Sequence, residues 1–367
     1  MPKVKILMVI PTLGSGGAER VMLNLLNHLD RDIFEPVLYL QEIKGGYLTS
    51  LADDVEIISA GNRSGLARLL FLRQEIRRLR PQIVFIMMLP IVALAARLSG
   101  AGAFPILRET NCTPNPYANQ SVIIRWLNRT GFRSCKAWIA STRQMTKYLQ
   151  TQYKIDPKKI EVIHNPVDVE KISGLSAEPV DFSDDEFNLV AIGSLTRQKG
   201  FDLLIDAVAT LEHIPWRLRI LGVGEEESSL QQRAASHGIA DRVEFLGFKS
   251  NPYAYLAHSD LFVLSSRWEG MPNVLLEAMA CGVPVLATRC PTGPDEIITS
   301  GVDGQLCEIN ATSIATAIGK LHGGRERTEQ LVRAASERIK QFDLPNIMQQ
   351  YQAFFKSKCG LNSDVQE

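Results

Sequence analysis

The sequence predicts a two-domain α/β protein in which each half is a parallel sheet wrapped by helices. Three observations carry that reading. A chain of 367 residues is too long for one ordinary core and suits two. Short apolar and β-branched runs alternate with longer helical patterns, the rhythm of parallel strands joined by crossover helices. The rhythm then breaks over a stretch rich in Ser, Asp and Pro and starts again.

In the first half the expected strands are Lys5–Ile10, Pro36–Leu40, Ile83–Met88, Pro105–Leu107, Ala137–Ala140 and Ile160–Ile163, with helices at Gly17–Leu29 and Leu66–Leu79. The second half repeats the order with strands Leu189–Ile192, Arg217–Leu221, Val243–Leu246, Leu261–Leu264 and Val283–Ala287, and a helix at Gly200–Thr210. Residues 1–172 form the expected N-terminal domain, 173–186 the linker and 187–342 the C-terminal domain. Residues 343–367 form a last helix expected to return to the first domain. Two such units face each other across a cleft lined by the carboxyl ends of their strands, where open α/β sheets bind ligands.

Composition narrows the class. The 45% hydrophobic content and zero net charge describe a globular protein without the strong positive charge of a nucleic-acid binder. The charge is nevertheless uneven. Residues 1–175 hold 23 Lys and Arg against 14 acids, and the remainder 17 against 26, so the first half is the one expected to meet an anionic partner. Six cysteines without a C-x-x-C pair exclude a zinc ribbon or a disulfide framework and point to a reducing cytoplasm. The apolar run at residues 1–10 meets Pro11 and a glycine cluster at once, so it reads as a strand and not a leader. Residues 83–98, broken by Pro90 and carrying Arg97, are too short for a membrane span.

The strongest chemical signal is the string SSRWEGMPNVLLEAMACG from Ser265 to Gly282. It follows an apolar strand. Gly270, Met271 and Pro272 shape a tight loop, and a helix starting near Asn273 offers free backbone N–H groups and the positive end of its dipole to phosphate. Glu269 on the loop is placed for sugar hydroxyls and Glu277 on the helix for ribose hydroxyls. The plain alternative makes Glu277 a solvated helix residue and Glu269 part of a cap.

This string resembles the E-x7-E motif of the retaining glycosyltransferases of family 4, the glycogen-synthase-like and mannosyltransferase-like group with GT-B architecture. The resemblance implies a nucleotide-sugar donor held mainly by the C-terminal domain, a metal-independent reaction and retained anomeric configuration. Upstream, Gly193-Ser194-Leu195-Thr196-Arg197-Gln198-Lys199-Gly200 is similar to the family's G-R-L-x-x-x-K-G turn, whose cations neutralise the donor diphosphate. Lys199 matches the family lysine. Ser194 replaces the usual arginine, and Arg197 is the candidate to supply the second cation. Such charges stabilise a leaving group whose charge develops only as the glycosidic bond breaks.

The glycine-rich turn at residues 11–20 is a weak signal alone, and Glu19 spoils it as a dinucleotide fingerprint. In the resembled family a G-G-A-E loop approaches the donor phosphates, a role that Gly16 and Gly17 fit because they lack a Cβ. Arg108-Glu109-Thr110-Asn111 resembles another family segment and makes Glu109 a candidate for the acceptor hydroxyl or the reacting sugar, with an Arg108–Glu109 ion pair as the alternative. Asn165-Pro166-Val167-Asp168 reads as a structural turn, and Asp295 and Glu296 as stabilisers of a helix start. Asp30-Arg31-Asp32 nominally matches a manganese-binding D-x-D, but it precedes a strand, at the wrong end of a parallel sheet. No metal and no cofactor are expected.

Two basic stretches remain. Arg73, Arg77 and Arg80 lie along the helix at 66–80, and Arg125, Arg129, Arg133 and Lys136 interleave with Trp126, Leu127 and Phe132. Packing on the sheet explains either stretch alone. Together with the charge surplus they favour an anionic membrane surface, with Trp126 and Phe132 entering the interfacial layer. The expected protein is therefore a glycosyltransferase, UDP-sugar favoured, acting on a lipid-linked or lipopolysaccharide-type saccharide in cell-surface polysaccharide biosynthesis. It is expected in the cytoplasm, peripheral on the inner face of the membrane. A nucleotide-sugar 2-epimerase or hydrolase of the same architecture, or a non-catalytic nucleotide-sugar-binding subunit, are the alternatives.

Overall fold

A computed structural model describes residues 3–14, 16–110, 121–183 and 185–361. Within them the chain divides into two units, residues 1–166 with 344–367, and residues 167–343.

The first unit is built on strands β1 (Val4–Ile10), β2 (Phe34–Leu40), β3 (Glu56–Ser59), β4 (Ile83–Met87), β5 (Phe104–Arg108), β6 (Ala137–Ala140) and β7 (Ile160–Val162). They pair in parallel in the order β3-β2-β1-β4-β5-β6-β7. Its helices are α1 (Gly17–His28), α2 (Gly65–Leu79), α3 (Val92–Ser99), α4 (Val122–Ser134) and α5 (Arg143–Tyr153). Successive side chains of β1 point to opposite faces. Ile6, Met8 and Ile10 join one core with Val21, Met22 and Leu25 of α1, while Leu7 and Val9 join another with α2 and α3. A sheet covered on both faces explains why its strands read as continuous apolar runs.

The second unit opens with α6 (Val169–Ser176) and continues through β8 (Phe187–Ile192), α7 (Phe201–Ala209), β9 (Trp216–Leu221), α8 (Glu227–Ser236) and β10 (Val243–Gly247). Then follow α9 (Tyr253–Ala257), β11 (Leu261–Leu264), α10 (Asn273–Ala280), β12 (Val285–Thr288), α11 (Pro294–Ile297), β13 (Gln305–Cys307), α12 (Ala311–His322) and α13 (Arg325–Ile339). The strand order is β10-β9-β8-β11-β12-β13, parallel throughout the described residues.

The last helix, α14 (Leu344–Lys358), belongs to the first unit's core. Phe355 packs edge-on against Phe85 at 5.5 Å and Phe34 at 6.3 Å. Arg108, fully buried at the end of β5, donates from Nε to the Tyr351 hydroxyl at 2.6 Å and from Nη2 to Asn165 Oδ1. That guanidinium therefore turns to α14, away from the ion pair with Glu109 considered above.

The chain enters the second unit at Val167, whose amide donates to the Phe342 carbonyl at 2.9 Å. Asp168 caps α6 by accepting from the Lys171 amide, and Ile172 is buried. Residues 173–186, expected as a linker, thus lie wholly within the second unit. Phe182 stacks under the Arg219 guanidinium at 3.9 Å, and Glu186 grips Arg217 with both oxygens. The polar composition of this stretch marks the end of α6 and the surface loop that follows it.

Phe132 departs from expectation. It is 1% exposed and stacks on Tyr153 at 3.9 Å, because Asn128, Gly131 and Phe132 form the inward stripe of α4 and Gly131 lets that helix close on the Pro90 carbonyl. Asp30-Arg31-Asp32 is a turn before β2: the Asp32 amide donates to Asp30 Oδ1, and Arg31 binds both oxygens of Asp54. Among the described residues no helix is long and apolar enough to cross a membrane.

Candidate active site

The winding of the second sheet changes direction between β8 and β11, since β8 leads outward through β9 to β10 and β11 leads through β12 to β13. Loops leaving such adjacent strands diverge and open a crevice at the carboxyl edge of the sheet. The two loops here are residues 193–200 and 265–272, so topology brings the two sequence motifs side by side.

They are stitched together. Gln198 Nε2 donates to the Trp268 carbonyl at 2.9 Å, the Arg267 amide to the Gln198 carbonyl at 2.7 Å, and the Ser265 hydroxyl to the Lys199 carbonyl at 2.9 Å. Gly200 makes this closure possible: with φ 65°, a Cβ there would lie 2.2 Å from the Ser265 carbonyl oxygen. Arg197–Lys199 form a single 3₁₀ turn between β8 and α7.

At the centre, Lys199 Nζ donates to Glu269 Oε1 at 2.6 Å, and the Ser266 hydroxyl donates to the same oxygen at 2.6 Å. Their side chains are 18% and 7% exposed, so each largely desolvated charge has its partner. The lysine stem runs over Gly193, where a Cβ would lie 3.1 Å from Lys199 Cε.

A third loop, after β12, buttresses the second. The Thr288 hydroxyl donates to the Ser266 carbonyl at 2.5 Å, and the buried Thr292 hydroxyl donates to the Glu269 carbonyl. Thr292 has φ 65°, an outlier for a β-branched residue and a strain of about 1–3 kcal/mol that its surroundings sustain. Gly293 follows with φ 93°, packed on Pro272 and the Gly270 carbonyl. A fourth loop, after β9, approaches the first so closely that a Cβ on Gly222 would lie 1.9 Å from the Gly193 carbonyl oxygen. Thr292 and Gly293 lie in the segment 291–298, which resembles the family segment flanking the donor's helix, whereas Gly222 and Gly224 were missed. The G-x-G directly after Leu221 was the available signal.

Lys199, Glu269, Gly270, Met271, Pro272, Asn273 and Glu277 thus lie together at this edge, Asn273 as the first residue of α10. Glu277 is buried within α10, which removes the solvated reading of it. Ser194 and Arg197 are exposed, and Asp295 pairs with Arg289 at 2.6 Å. Cys290 is buried beside the site, and burial first, then the Glu269 charge, push its thiol up to about 12, which makes it an unreactive neighbour.

Gly16, Gly17 and Glu109 belong to the first unit. Gly16 is the N-cap of α1, and the Glu19 carboxylate folds over it, 2.5 Å from where a Cβ would stand. The Glu109 amide bonds the Ile139 carbonyl, and its Oε1 accepts from the Thr110 amide at 3.0 Å. Asn111 lies outside the described residues.

Comparison with known proteins adds family and fold. Residues 176–338 match the family model "Glycosyl transferases group 1", and residues 15–171 match "Glycosyltransferase Family 4". An uncharacterized glycosyltransferase of Methanocaldococcus jannaschii is 35% identical over 44% of this chain and 41% of its own length, so the chain spans less than half of that relative. The N-acetylgalactosamine-N,N'-diacetylbacillosaminyl-diphospho-undecaprenol 4-alpha-N-acetylgalactosaminyltransferase of Campylobacter jejuni is 28% identical over 91% of this chain and 94% of that protein. The crystal structure of Anabaena HepE in complex with UDP superimposes with a TM-score of 0.80 at 22% identity, covering 96% of this chain and all of that one, a likeness of fold.

Proposed function

The chain belongs to the glycosyltransferases of family 4 with the GT-B fold, and on that premise we propose that it transfers a sugar from a nucleotide-sugar donor to a saccharide acceptor. The observation that carries this reading is the Lys199–Glu269 pair at the switch point of the second sheet. A cation fixed there stabilises the diphosphate as it leaves, charge that is absent in the bound donor and develops only as the glycosidic bond breaks. The N-terminus of α10 supplies backbone donors to the same phosphates. Glu269 Oε1 is held by Lys199 and Ser266, which leaves Oε2 for the hydroxyls of the transferred sugar, and Glu277 serves the ribose.

In this reading Gly16 and Gly17 approach the donor phosphates, Arg197 adds a second cation in place of the residue that Ser194 replaces, and Glu109 contacts the acceptor or the reacting sugar. Retention of configuration and independence of metal follow from the resemblance, and a lysine at the diphosphate fills the role of a metal ion. UDP as the carrier is supported by the UDP complex of Anabaena HepE, and a lipid-linked acceptor by the undecaprenol diphosphate named in the Campylobacter relative.

The same reading places the first unit on an anionic bilayer. Residues 121–126, at the start of α4, are all exposed, with Ile123 71% and Trp126 64% accessible. Leu66 and Leu70 at the start of α2 are exposed too. Both helices follow parallel strands and pack on α3 between them, so their N-termini share the carboxyl edge of the sheet. Arg125, Arg129 and Arg133 add the charge that selects anionic lipid.

A screen of nucleotide sugars for thermal stabilisation, followed by donor hydrolysis with and without a lipid-linked acceptor, tests the proposal. Stabilisation by one nucleotide series and acceptor-dependent release of nucleoside diphosphate are expected. No stabilisation by any nucleotide sugar together with no diphosphate release would sink it.

A further inference from the structure

We propose that Arg267 is a positioning residue for the transfer reaction, holding from both sides the turn that presents Lys199. This rests on the reading of Lys199 as the cation that faces the donor diphosphate. Arg267 lies two residues before Glu269 on the loop after β11. Its guanidinium grips both oxygens of Asp202, Nη1 to Oδ1 at 2.7 Å and Nη2 to Oδ2 at 2.6 Å. Nη1 also donates to the Arg197 carbonyl at 2.9 Å, and the Arg267 amide donates to the Gln198 carbonyl at 2.7 Å. Arg197 opens the 3₁₀ turn, and Asp202 sits in the first turn of α7 just beyond it.

A three-residue 3₁₀ turn has little stability of its own, because few hydrogen bonds repay the backbone order it demands. The Lys199 amide bonds the Thr196 carbonyl at 3.0 Å, and the remaining order comes from outside. Arg267 fixes the residue that begins the turn and Asp202, three residues beyond its end, while Lys199 between them reaches Glu269. Only a planar fork serves three acceptors in this way; a lysine is a point charge without that geometry. Arg267 and Glu269 share one loop, so the same backbone that orients the carboxylate orients its lysine partner.

The test is a set of double mutants in the full chain, read as kcat and donor KM for nucleotide-sugar turnover, with melting temperature recorded for each variant. Displacement of a catalytic cation by a fraction of an ångström to one ångström costs about tenfold to a hundredfold in rate. Arg267→Gln is expected to lower kcat about tenfold or more with a smaller change in donor KM, and Arg267→Lys is expected not to rescue it. In a Lys199→Ala background, Arg267→Gln should lower kcat less than about twofold further, because groups acting through one another are non-additive. Asp202→Asn should repeat this pattern and remain readable if Arg267→Gln folds poorly. Equal losses in both backgrounds, or rescue by Arg267→Lys, overturn the positioning role alone. A Lys199→Ala enzyme as fast as wild type overturns the phosphate reading and the positioning role with it.

Discussion

Lys199 and Glu269, seventy residues apart in the chain, meet at 2.6 Å through a carboxylate oxygen that also accepts the Ser266 hydroxyl. The ammonium is therefore neutralised by protein at the position where the proposed mechanism brings the donor diphosphate. Removing either partner has two effects, the loss of its chemistry and the stranding of a largely buried charge. Lys199→Ala should lower kcat by the 10²–10³ typical of one lost electrostatic donor, about 2.7–4 kcal/mol of barrier. It should loosen donor binding less. The assay belongs well below the melting temperature, which stranding Glu269 also lowers. Arg197→Ala should follow the same pattern if Arg197 replaces the family's missing arginine. A silent Arg197→Ala removes that compensation and leaves the lysine role standing.

Metal dependence and stereochemistry form the second test. If Lys199 takes the proposed place at the leaving group, activity should survive excess EDTA. Proton NMR of the product should show the donor's anomeric configuration retained. An inverted product would take the chain out of the mechanism proposed for it, whatever its fold.

Acid should loosen this site through Asp202. Burial alone would raise its carboxyl, but the hydrogen bonds and charge of Arg267 outweigh burial and leave it lowered. A carboxyl held lower in the folded than in the unfolded state contributes stability above its unfolded value, about pH 3.9, and loses it as pH falls through the folded value. Wild type should therefore melt higher than Asp202→Asn at neutral pH, and the two curves should converge below about pH 4. A constant offset at every pH would show that the difference is packing and not the ion pair.

Much of the fold was legible because apolar periodicity reports sheet faces directly. Ala137–Ala140 and Leu261–Leu264 are strands with the bounds expected, and both are buried along their length. The strand Glu56–Ser59 was missed: it is short and half-exposed at the edge of its sheet, so it carries no apolar run. The unit boundary was misplaced for a similar reason, since a polar surface loop and a linker share one composition. Both motifs of the candidate site were visible as strings. Their stitching was not, because Arg267–Asp202 and Arg108–Tyr351 join residues 65 and 243 positions apart, which no local pattern encodes.

Gly222 offers a test of how tightly the loops are built. With φ 139° and a Cβ position 1.9 Å from the Gly193 carbonyl oxygen, Gly222→Ala must push the 193–195 turn away or distort the end of β9. Because the obstacle is backbone, no side-chain rotation relieves it. Thermal unfolding should show a loss of several degrees, and kcat should fall because Lys199 lies on the displaced loop. Gly238→Ala is the control: its φ is 71°, so it carries the left-handed strain, but nothing lies within 4 Å of its Cβ. Equal effects of the two substitutions would reduce the Gly222 result to backbone strain alone.

The structure redraws the proposed membrane face. Phe132 is core, and Arg73 spends its Nε on the Leu98 carbonyl at the end of α3, so neither is assigned to lipid contact. The exposed set is Val122, Ile123, Ile124 and Trp126, with Arg125, Arg129 and Arg133 on the same helix. Apolar side chains ahead of a basic helix bind an interface by two additive terms, burial in the acyl boundary and attraction to anionic headgroups. The second term is about 1 kcal/mol per Lys or Arg near the surface and falls off within a Debye length. The terms separate experimentally. Reversing Arg125, Arg129 and Arg133 to Glu should abolish the preference for anionic over neutral liposomes and the weakening with salt. Ile123→Ser with Trp126→Ser should weaken sedimentation with both lipid types and leave the salt dependence intact. The loops proposed to hold the donor lie in the second unit, so all these variants should keep the thermal shift with nucleotide sugar. Equal sedimentation of wild type with neutral and anionic vesicles, unchanged by the Arg reversals, would leave the arginines of α4 as solvated surface.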